Sequence, residues 1–271
     1  MNWMILEKIK SFTSPLNQIS HLPGLLRATI RLGAVLLITG LCSTTYLITT
    51  IFLRFSWKRF ERETKRWAEW LTKILNIIIL QEGEIPGGSY LIVSNHRSYI
   101  DIPVLYTVLP GVFLSKEEIR TWPVIAFAAR IAGTIFVERN NPISRSQARE
   151  EIKKRLLAGE SIYVFPEGTT SEGPKLLAFK SGIFKVASEN LIPVLPVAIQ
   201  YSDKNDTWIG EDTFVGHFFR TFSKKKVYVK ITYCEIIKEG DAEKLNELAH
   251  TNIYKNLPAY NQVLCDLETL T

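Results

Sequence analysis

The sequence predicts an α/β domain, with a mixed, largely parallel sheet flanked by helices, preceded by an N-terminal helical membrane-anchoring segment. Three observations carry that prediction. From Gly88 onward, short runs rich in β-branched and aromatic residues alternate with helical patterns, as in a sheet built from strand–helix units. Hydrophobic residues make up 46% of the 271 and charged residues 22%, which is ample material for one large core and excludes a disordered chain. Ahead of this lies an uncharged run, Leu32 to Leu53, about as long as the roughly 20 residues a membrane-crossing helix needs.

That run reads LGAVLLITGLCSTTYLITTIFL, with Arg27 and Arg31 before it and Arg54, Lys58 and Arg59 after it. Its polar lead-in is too long for a signal peptide and no small-residue cleavage site follows. Basic residues on both flanks give no orientation by the positive-inside rule. The run therefore fits a span, a shallow or re-entrant anchor with both flanks cytoplasmic, or a buried core helix. In the following SWKRFERETKRWAEWLTKILNIII, the residues Trp57, Phe60, Trp67, Leu71, Ile74 and Ile78 recur at helical steps, while Lys58, Arg59, Arg62, Lys65, Arg66 and Lys73 fill the remainder. Such a helix suits the headgroup level of an anionic membrane, or packs its apolar face on its own domain. The turn-rich QEGEIPGG, Gln81 to Gly88, then marks entry to the next unit. Residues 1–81 are expected to form the anchoring segment and 82–271 the catalytic domain.

Strands are predicted at Tyr90–Ser94, Gly111–Leu114, Thr134–Val137, Ser161–Phe165, Val194–Gln200 and Val227–Tyr233, with helices at Arg145–Leu157 and Gly182–Glu189 among them. In sheets of this kind ligands sit at the carboxyl ends of strands. The net charge of +6 favours an anionic partner, whether a phosphorylated substrate, a membrane surface or nucleic acid. Nucleic acid is disfavoured because the aromatics occupy a helical face beside an apolar run. Cys42, Cys234 and Cys265 are scattered without C-x-x-C spacing, so neither a disulfide framework nor a zinc site is expected.

The first strand ends in LIVSNHRSYIDIP, Leu91 to Pro103. His96 is thereby placed at the sheet rim, and Asp101, five residues on, falls in the first turns of the next helix. A carboxylate there can fix one ring nitrogen, leaving the other as an acceptor and stabilising the imidazolium that forms. No G-x-S-x-G elbow is present, so the nucleophile would be a substrate hydroxyl. The segment GTIFVER sets Arg139 after a strand, suited to gripping a phosphate. In FPEGTTSEGPKLLAFKSGIFK the chain leaves a strand through Pro166 into Glu167 and Gly168. Gly168 allows close approach to an anion, Thr169 and Thr170 offer hydroxyls, and Lys175 and Lys180 add positive charge. Finally LIPVLPVAI, Leu191 to Ile199, reads as a strand whose two prolines point to an edge or a bulge.

In this order the blocks NHRSYID, GTIFVER, FPEGTTS and IPVLPVAI resemble the glycerolipid acyltransferases typified by bacterial 1-acylglycerol-3-phosphate acyltransferase. The linking SKEEIRTWPVIAFAARIAG is similar to the family's connection between its first two blocks, and the resemblance covers about Gly88 to Tyr201. It implies transfer of an acyl chain from a thioester, on coenzyme A or acyl carrier protein, to the free hydroxyl of a lysolipid. By the same resemblance His96 removes the hydroxyl proton and Asp101 orients it. Arg139 and the Glu167-Gly168-Thr169 turn would hold the acceptor head group, with Thr170 and Lys180 beside them. Neither metal nor cofactor is implied, because a thioester is already activated. Substrates that live in a bilayer imply a site at the cytoplasmic face of the inner membrane. The family often has arginine where Thr170 stands, which removes a bidentate phosphate ligand. 1-Acylglycerol-3-phosphate is therefore the first acceptor expected, and another lysophospholipid or a lyso-aminoacyl, ornithine-type lipid the alternative. A thioesterase-type hydrolase and a non-enzymatic membrane adaptor are the remaining readings.

Overall fold

The computed structural model of the chain describes residues 22–85, 87–173 and 175–268, so residues 1–21 of the expected anchoring segment lie outside the described residues. Seven strands form one sheet: β1 (Ile77–Glu82), β2 (Leu91–Ser94), β3 (Val112–Lys116), β4 (Ile135–Val137), β5 (Ile162–Val164), β6 (Val194–Tyr201) and β7 (Val227–Tyr233). Their spatial order is β1-β7-β6-β2-β5-β3-β4, parallel throughout except where β6 meets β7. The expected mixed, largely parallel α/β sheet is what the chain forms. The described helices are α1 (Gly24–Leu53), α2 (Trp57–Leu75), α3 (Asp101–Tyr106), α4 (Pro123–Ile131), α5 (Pro142–Leu157), α6 (Gly182–Glu189), α7 (Phe214–Phe222), α8 (Ala242–Lys255) and α9 (Tyr260–Glu268).

The central strands β2, β5 and β6 are buried at every position and largely apolar because both faces are covered, as parallel strands require. Leu91 and Val93 of β2 enter the cluster that holds Ile152, Phe184 and Leu245. Ile92, between them, points the other way, into the cluster with Val104, Phe218 and Leu75.

Helix α1 inverts the usual arrangement. Its buried residues are Arg27, Ala28, Arg31, Thr39, Ser43 and Tyr46, while Leu25, Leu37, Leu41, Ile51, Phe52 and Leu53 are exposed. A core helix of a water-soluble domain would do the reverse. It runs unbroken for 30 residues, so no hairpin forms within it, and it is long and apolar enough to cross a membrane. The two arginines preceding the apolar run are not free flanking cations. Arg31 is 1% exposed and donates from Nε to Ile74 O (3.1 Å), from Nη1 to Phe222 O (2.9 Å) and Lys224 O (2.7 Å), and from Nη2 to Lys225 O (3.1 Å). Arg27 donates to Ser223 O through Nε at 3.0 Å and again through Nη2. Carbonyls in the last turn of a helix have no partner within it. These guanidiniums supply that partner for α2 and α7 together.

One expectation is corrected here, and one alternative is decided. Ile78 does not continue the apolar face of α2. The helix stops at Leu75, Asn76 takes the left-handed conformation (φ 54°), and the chain turns into β1, which pairs Ile77 with Val227 and Ile78 with Tyr228. The sheet thus begins before the predicted boundary at residue 81. The face of α2 bearing Phe60, Leu71 and Ile74 is buried against the domain, as the packed alternative required. Of the edge or bulge that the prolines of β6 suggested, the chain has the bulge: β6 lies between β7 and β2 and is buried along its whole length. Its proline is tolerated at an irregularity. Val197 pairs with Tyr233 but Val194 with Ile237, so β6 advances three residues while its partner advances four. Pro196, inside this bulge, uses only its carbonyl, which accepts from Cys234 N at 3.0 Å.

Candidate active site

β2 delivers His96 to the carboxyl edge of the sheet, and Asn95 explains how the strand stops there. Its side-chain amide donates to Ile199 O and accepts from Ile199 N, both at 2.8 Å, so the buried Asn95 continues the β2–β6 ladder with a side chain in place of a peptide. The backbone is then free to turn. His96 Nδ1 lies 2.8 Å from Asp101 Oδ2, and that same oxygen accepts from Arg97 N (2.7 Å) and Ser98 N (3.0 Å). Tyr201, at the end of β6, donates its hydroxyl to Asp101 Oδ1 at 2.7 Å. Burial, with Asp101 adjacent, holds the Tyr201 phenol well above its usual range, so it stays a donor. Asp101 itself is fully buried while the His96 side chain is 19% exposed. The arrangement fixes the tautomer: Nδ1 carries the proton, and Nε2 is left as the acceptor.

The segment after β5 braces His96. Glu167 Oε1 accepts from His96 N at 2.8 Å, and Glu167 Oε2 from Leu177 N at 2.9 Å. Ser171 N donates to His96 O at 2.8 Å, and the His96 ring stacks on Phe165 with centroids 3.9 Å apart. Arg97, fully buried, donates from Nη1 to Ser171 O (3.0 Å), Ser171 Oγ and Lys175 O (3.1 Å), tying the two segments together. Burial pulls the Arg97 guanidinium below its usual range, opposed by Glu167 and Asp101.

His96 opens on a cavity of about 700 Å³ that reaches from the sheet edge to the N-terminal helices. Gly168, Thr169, Thr170, Arg139 and Lys180 line it with His96. Gly168 has φ +75°, and a Cβ there would fall 2.5 Å from Lys180 Nζ, so glycine is what lets this ammonium reach the turn. Two expected ligands are otherwise engaged. Both carboxylate oxygens of Glu167 serve backbone N–H groups, and the Thr170 hydroxyl donates to Trp208 O. Lys175 is exposed and does not line the cavity.

Sequence reasoning missed several lining residues. Lys116 at the end of β3 and Arg145 and Arg149 on α5 add positive charge to the wall. Among the described residues, none of Lys116, Arg139, Arg145, Arg149 and Lys180 takes part in an ion pair. The only sequence signal for Arg145 and Arg149 was their spacing of four on one helix, which looks like any solvated face. Tyr99 also lines the cavity; its hydroxyl sits 3.0 Å from Nδ1 of the fully buried His217. Burial lowers the pKa of His217 to about 4, so that ring is neutral and structural. Among the described histidines only His96 faces the cavity. Toward the N-terminal helices the wall is largely apolar, with Val35 and Tyr46 of α1, Phe60, Trp67 and Leu71 of α2, and Ile131 of α4, interrupted by Thr39, Ser43, Glu63 and Thr64.

A family profile described as Acyltransferase matches residues 76–200 of this chain. The chain is 35% identical over 182 residues to a lyso-ornithine lipid O-acyltransferase from Pseudomonas aeruginosa, covering 65% of this chain and 70% of that one. It is 32% identical over 165 residues to a 1-acyl-sn-glycerol-3-phosphate acyltransferase from Neisseria gonorrhoeae, covering 59% of this chain and 64% of that one, just under two thirds of its length. The crystal structure of the 1-acyl-sn-glycerophosphate acyltransferase of Thermotoga maritima superposes with a TM-score of 0.64 at 23% identity, over 84% of this chain and 95% of that one, which shows a common fold.

Proposed function

The chain belongs to the acyltransferase family, and on that premise we propose that it moves a fatty acyl chain from a thioester to the free hydroxyl of a bilayer-borne lysolipid. The observation that carries this reading is the His96–Asp101 pair, 2.8 Å apart, at the mouth of a cavity with a cationic rim and an apolar end. His96 Nε2 takes the hydroxyl proton as the lysolipid oxygen attacks the thioester carbonyl. The tetrahedral carbon then expels thiolate, which leaves with the proton held on the imidazolium. Asp101 keeps the ring in register and stabilises its charge, and Glu167 acts through the backbone of His96 as a positioning residue rather than as a ligand. The donor thioester is carried by coenzyme A or acyl carrier protein, both cytoplasmic, which sets the cavity mouth on the cytoplasmic side. The exposed apolar face of α1 suits hydrocarbon, and Val35, Thr39 and Tyr46 on its other side line the cavity. A lipid could therefore pass from bilayer to site along this helix.

The acceptor first in line is 1-acylglycerol-3-phosphate, because the wall beside His96 is cationic and Arg139 is free to meet a phosphate. Lyso-ornithine lipid is the second reading, favoured by one observation. Thr170 stands where the family often has arginine, and its hydroxyl is already bonded to Trp208 O. A panel of lysolipids, assayed with purified protein and acyl thioester, decides between them, and fatty acid released without any lysolipid would mark a hydrolase instead. Arg139→Ala is expected to raise the acceptor KM by an amount worth about 1.5–3 kcal/mol, leaving the thioester KM nearly unchanged. Equal damage to both would mean a structural role.

The apolar end makes a second prediction. Phe60 is 2% exposed, stacks on Trp57 with centroids 4.9 Å apart and meets Tyr46 edge-on at 6.2 Å. With Ile131 and Ala132 it also lines a separate pocket of about 390 Å³, so it is part of the wall between the two. Phe60→Ala is expected to join them and to favour longer acyl chains, by roughly fourfold in kcat/KM for each added methylene that is buried at about 0.8 kcal/mol. Competition between thioesters of increasing length reads this directly, and an unaltered preference in folded protein would place the chain elsewhere.

A further inference from the structure

The cavity carries more positive charge than one acceptor head group can use. Its lining includes Lys116, Arg139, Arg145, Arg149 and Lys180 against two acids, Glu63 and Asp212. Both acids are already matched: Asp212 holds Arg220 through two contacts, at 3.0 and 2.5 Å, and Glu63 pairs with Arg62 and Arg66. Three of these five cations, Arg145 and Arg149 on α5 and Lys180 just before α6, line the arm of the cavity where these two helices meet. There the buried side chains of Ala148, Ile152 and Ile183 make an apolar floor. Arg145 and Arg149 stand above it one helical turn apart, roughly 6 Å along the axis. Arg149 spans to the start of α6, where a Cβ on Gly182 would meet its guanidinium at 3.6 Å. Lys180 closes the arm beside Gly168.

We propose that Arg145 and Arg149, with Lys180, form the subsite for the phosphate of the thioester donor's phosphopantetheine arm. The inference rests on the acyltransfer reading given above and adds a donor contact to it. The chemistry fits in two ways. A pantetheine arm is a slender, mostly apolar chain broken by amides, which suits a narrow floor of alanine and isoleucine. It ends in a phosphate, which suits a pair of guanidiniums with no acidic competitor. A lysolipid brings a single head group, already provided for by Arg139, so the second set of cations has no other substrate group to meet. The same phosphate occurs in coenzyme A and in the prosthetic group of acyl carrier protein, and both present it to the same residues.

The test compares Arg145→Gln, Arg149→Gln and the double variant with the full-length protein. Three donors carry the same acyl chain: acyl-coenzyme A, acyl carrier protein, and acyl-pantetheine, which has no phosphate. For the double variant the donor KM is expected to rise about 10-fold or more with the phosphate-bearing donors, as for lost charge-assisted contacts, while the acceptor KM stays within about twofold. The preference for phosphate-bearing donors over acyl-pantetheine should shrink toward one. A rise with only one of the two carriers supports the subsite and identifies the carrier it serves. An unchanged donor KM with both, an equal rise with acyl-pantetheine, or a rise in acceptor KM instead would overturn the proposal. Arg149→Glu, which reverses the charge, must exceed the effect of Arg149→Gln if the contact is electrostatic, and a smaller effect counts against it. Absence of transfer by the unmodified protein with every donor is a different result, and it would defeat the acyltransfer reading itself.

Discussion

His96→Ala is expected to lower turnover by on the order of 10²–10⁴, the usual worth of a positioned general base, with little change in folding. The side chain is at the rim, 19% exposed, and its main apolar contact is the stacked Phe165 ring. Asp101→Asn should be about as damaging to turnover and worse for the fold. Asp101 accepts from His96 Nδ1, Arg97 N, Ser98 N and the Tyr201 hydroxyl, and a carboxylate can face all of them because it has no hydrogen of its own. An amide must turn its NH2 toward at least one of these donors. Turnover with a saturating short-chain thioester, beside circular dichroism of each variant, separates the two effects. Near-normal turnover in folded His96→Ala protein would sink the mechanism.

The second large effect is expected at Glu167, a residue that contacts no substrate in this scheme. Glu167→Ala leaves two backbone N–H groups, those of His96 and Leu177, without their acceptors. Each was bonded to a buried charge, so the expected loss of stability is about 2–4 kcal/mol in all. Turnover should fall by roughly 10–10² as His96 loses one of the bonds that fix its backbone. Because the effect acts through position, kcat should fall while both KM values change little, whereas loss of a head-group ligand would raise the acceptor KM. Glu167→Gln gives an independent check. It keeps one acceptor, turns an N–H2 toward the other backbone donor, and should lie between wild type and alanine. A selective rise in acceptor KM would return Glu167 to the ligand role that the sequence implied.

The difference between those roles shows what could be read from the sequence. The alternation after Gly88 made the strands legible because each is short, rich in β-branched or aromatic residues and bounded by turn residues. β1 was hidden because Ile77 to Leu80 prolong the apolar pattern of α2. What separates them is one residue, Asn76, whose side chain tolerates the left-handed conformation and donates to Lys225 O at 2.9 Å. For β6 the sequence left an edge and a bulge open because proline suits either, and the bulge that accommodates Pro196 depends on Ile237, far along the chain. At the site, His96 and Asp101 were legible because five residues of local chain set their geometry. Tyr201 is 100 residues from Asp101, and no local pattern announces a partner at that distance. Glu167 was expected as a ligand from the family resemblance and Thr170 from its hydroxyl beside that turn, whereas the hydrogen bonds they make here depend on which backbone groups fold against them.

The clamp made by Arg31 also sets an order of events during synthesis. Its nearest acceptor in sequence, Ile74 O, is 43 residues downstream, but Phe222 O, Lys224 O and Lys225 O are 191 to 194 residues downstream. At ribosomal rates of about 5–20 residues per second, the later carbonyls emerge roughly 10–40 s after Arg31 does. Through that interval α1 carries an apolar face ready for lipid and a guanidinium with most of its protein acceptors still unmade. A charge in that state is best kept at the water-facing edge of the bilayer, where phosphates can hold it. On the membrane reading proposed above, α1 would meet the bilayer before α7 is made, and the contacts that lock it to the catalytic sheet would form last.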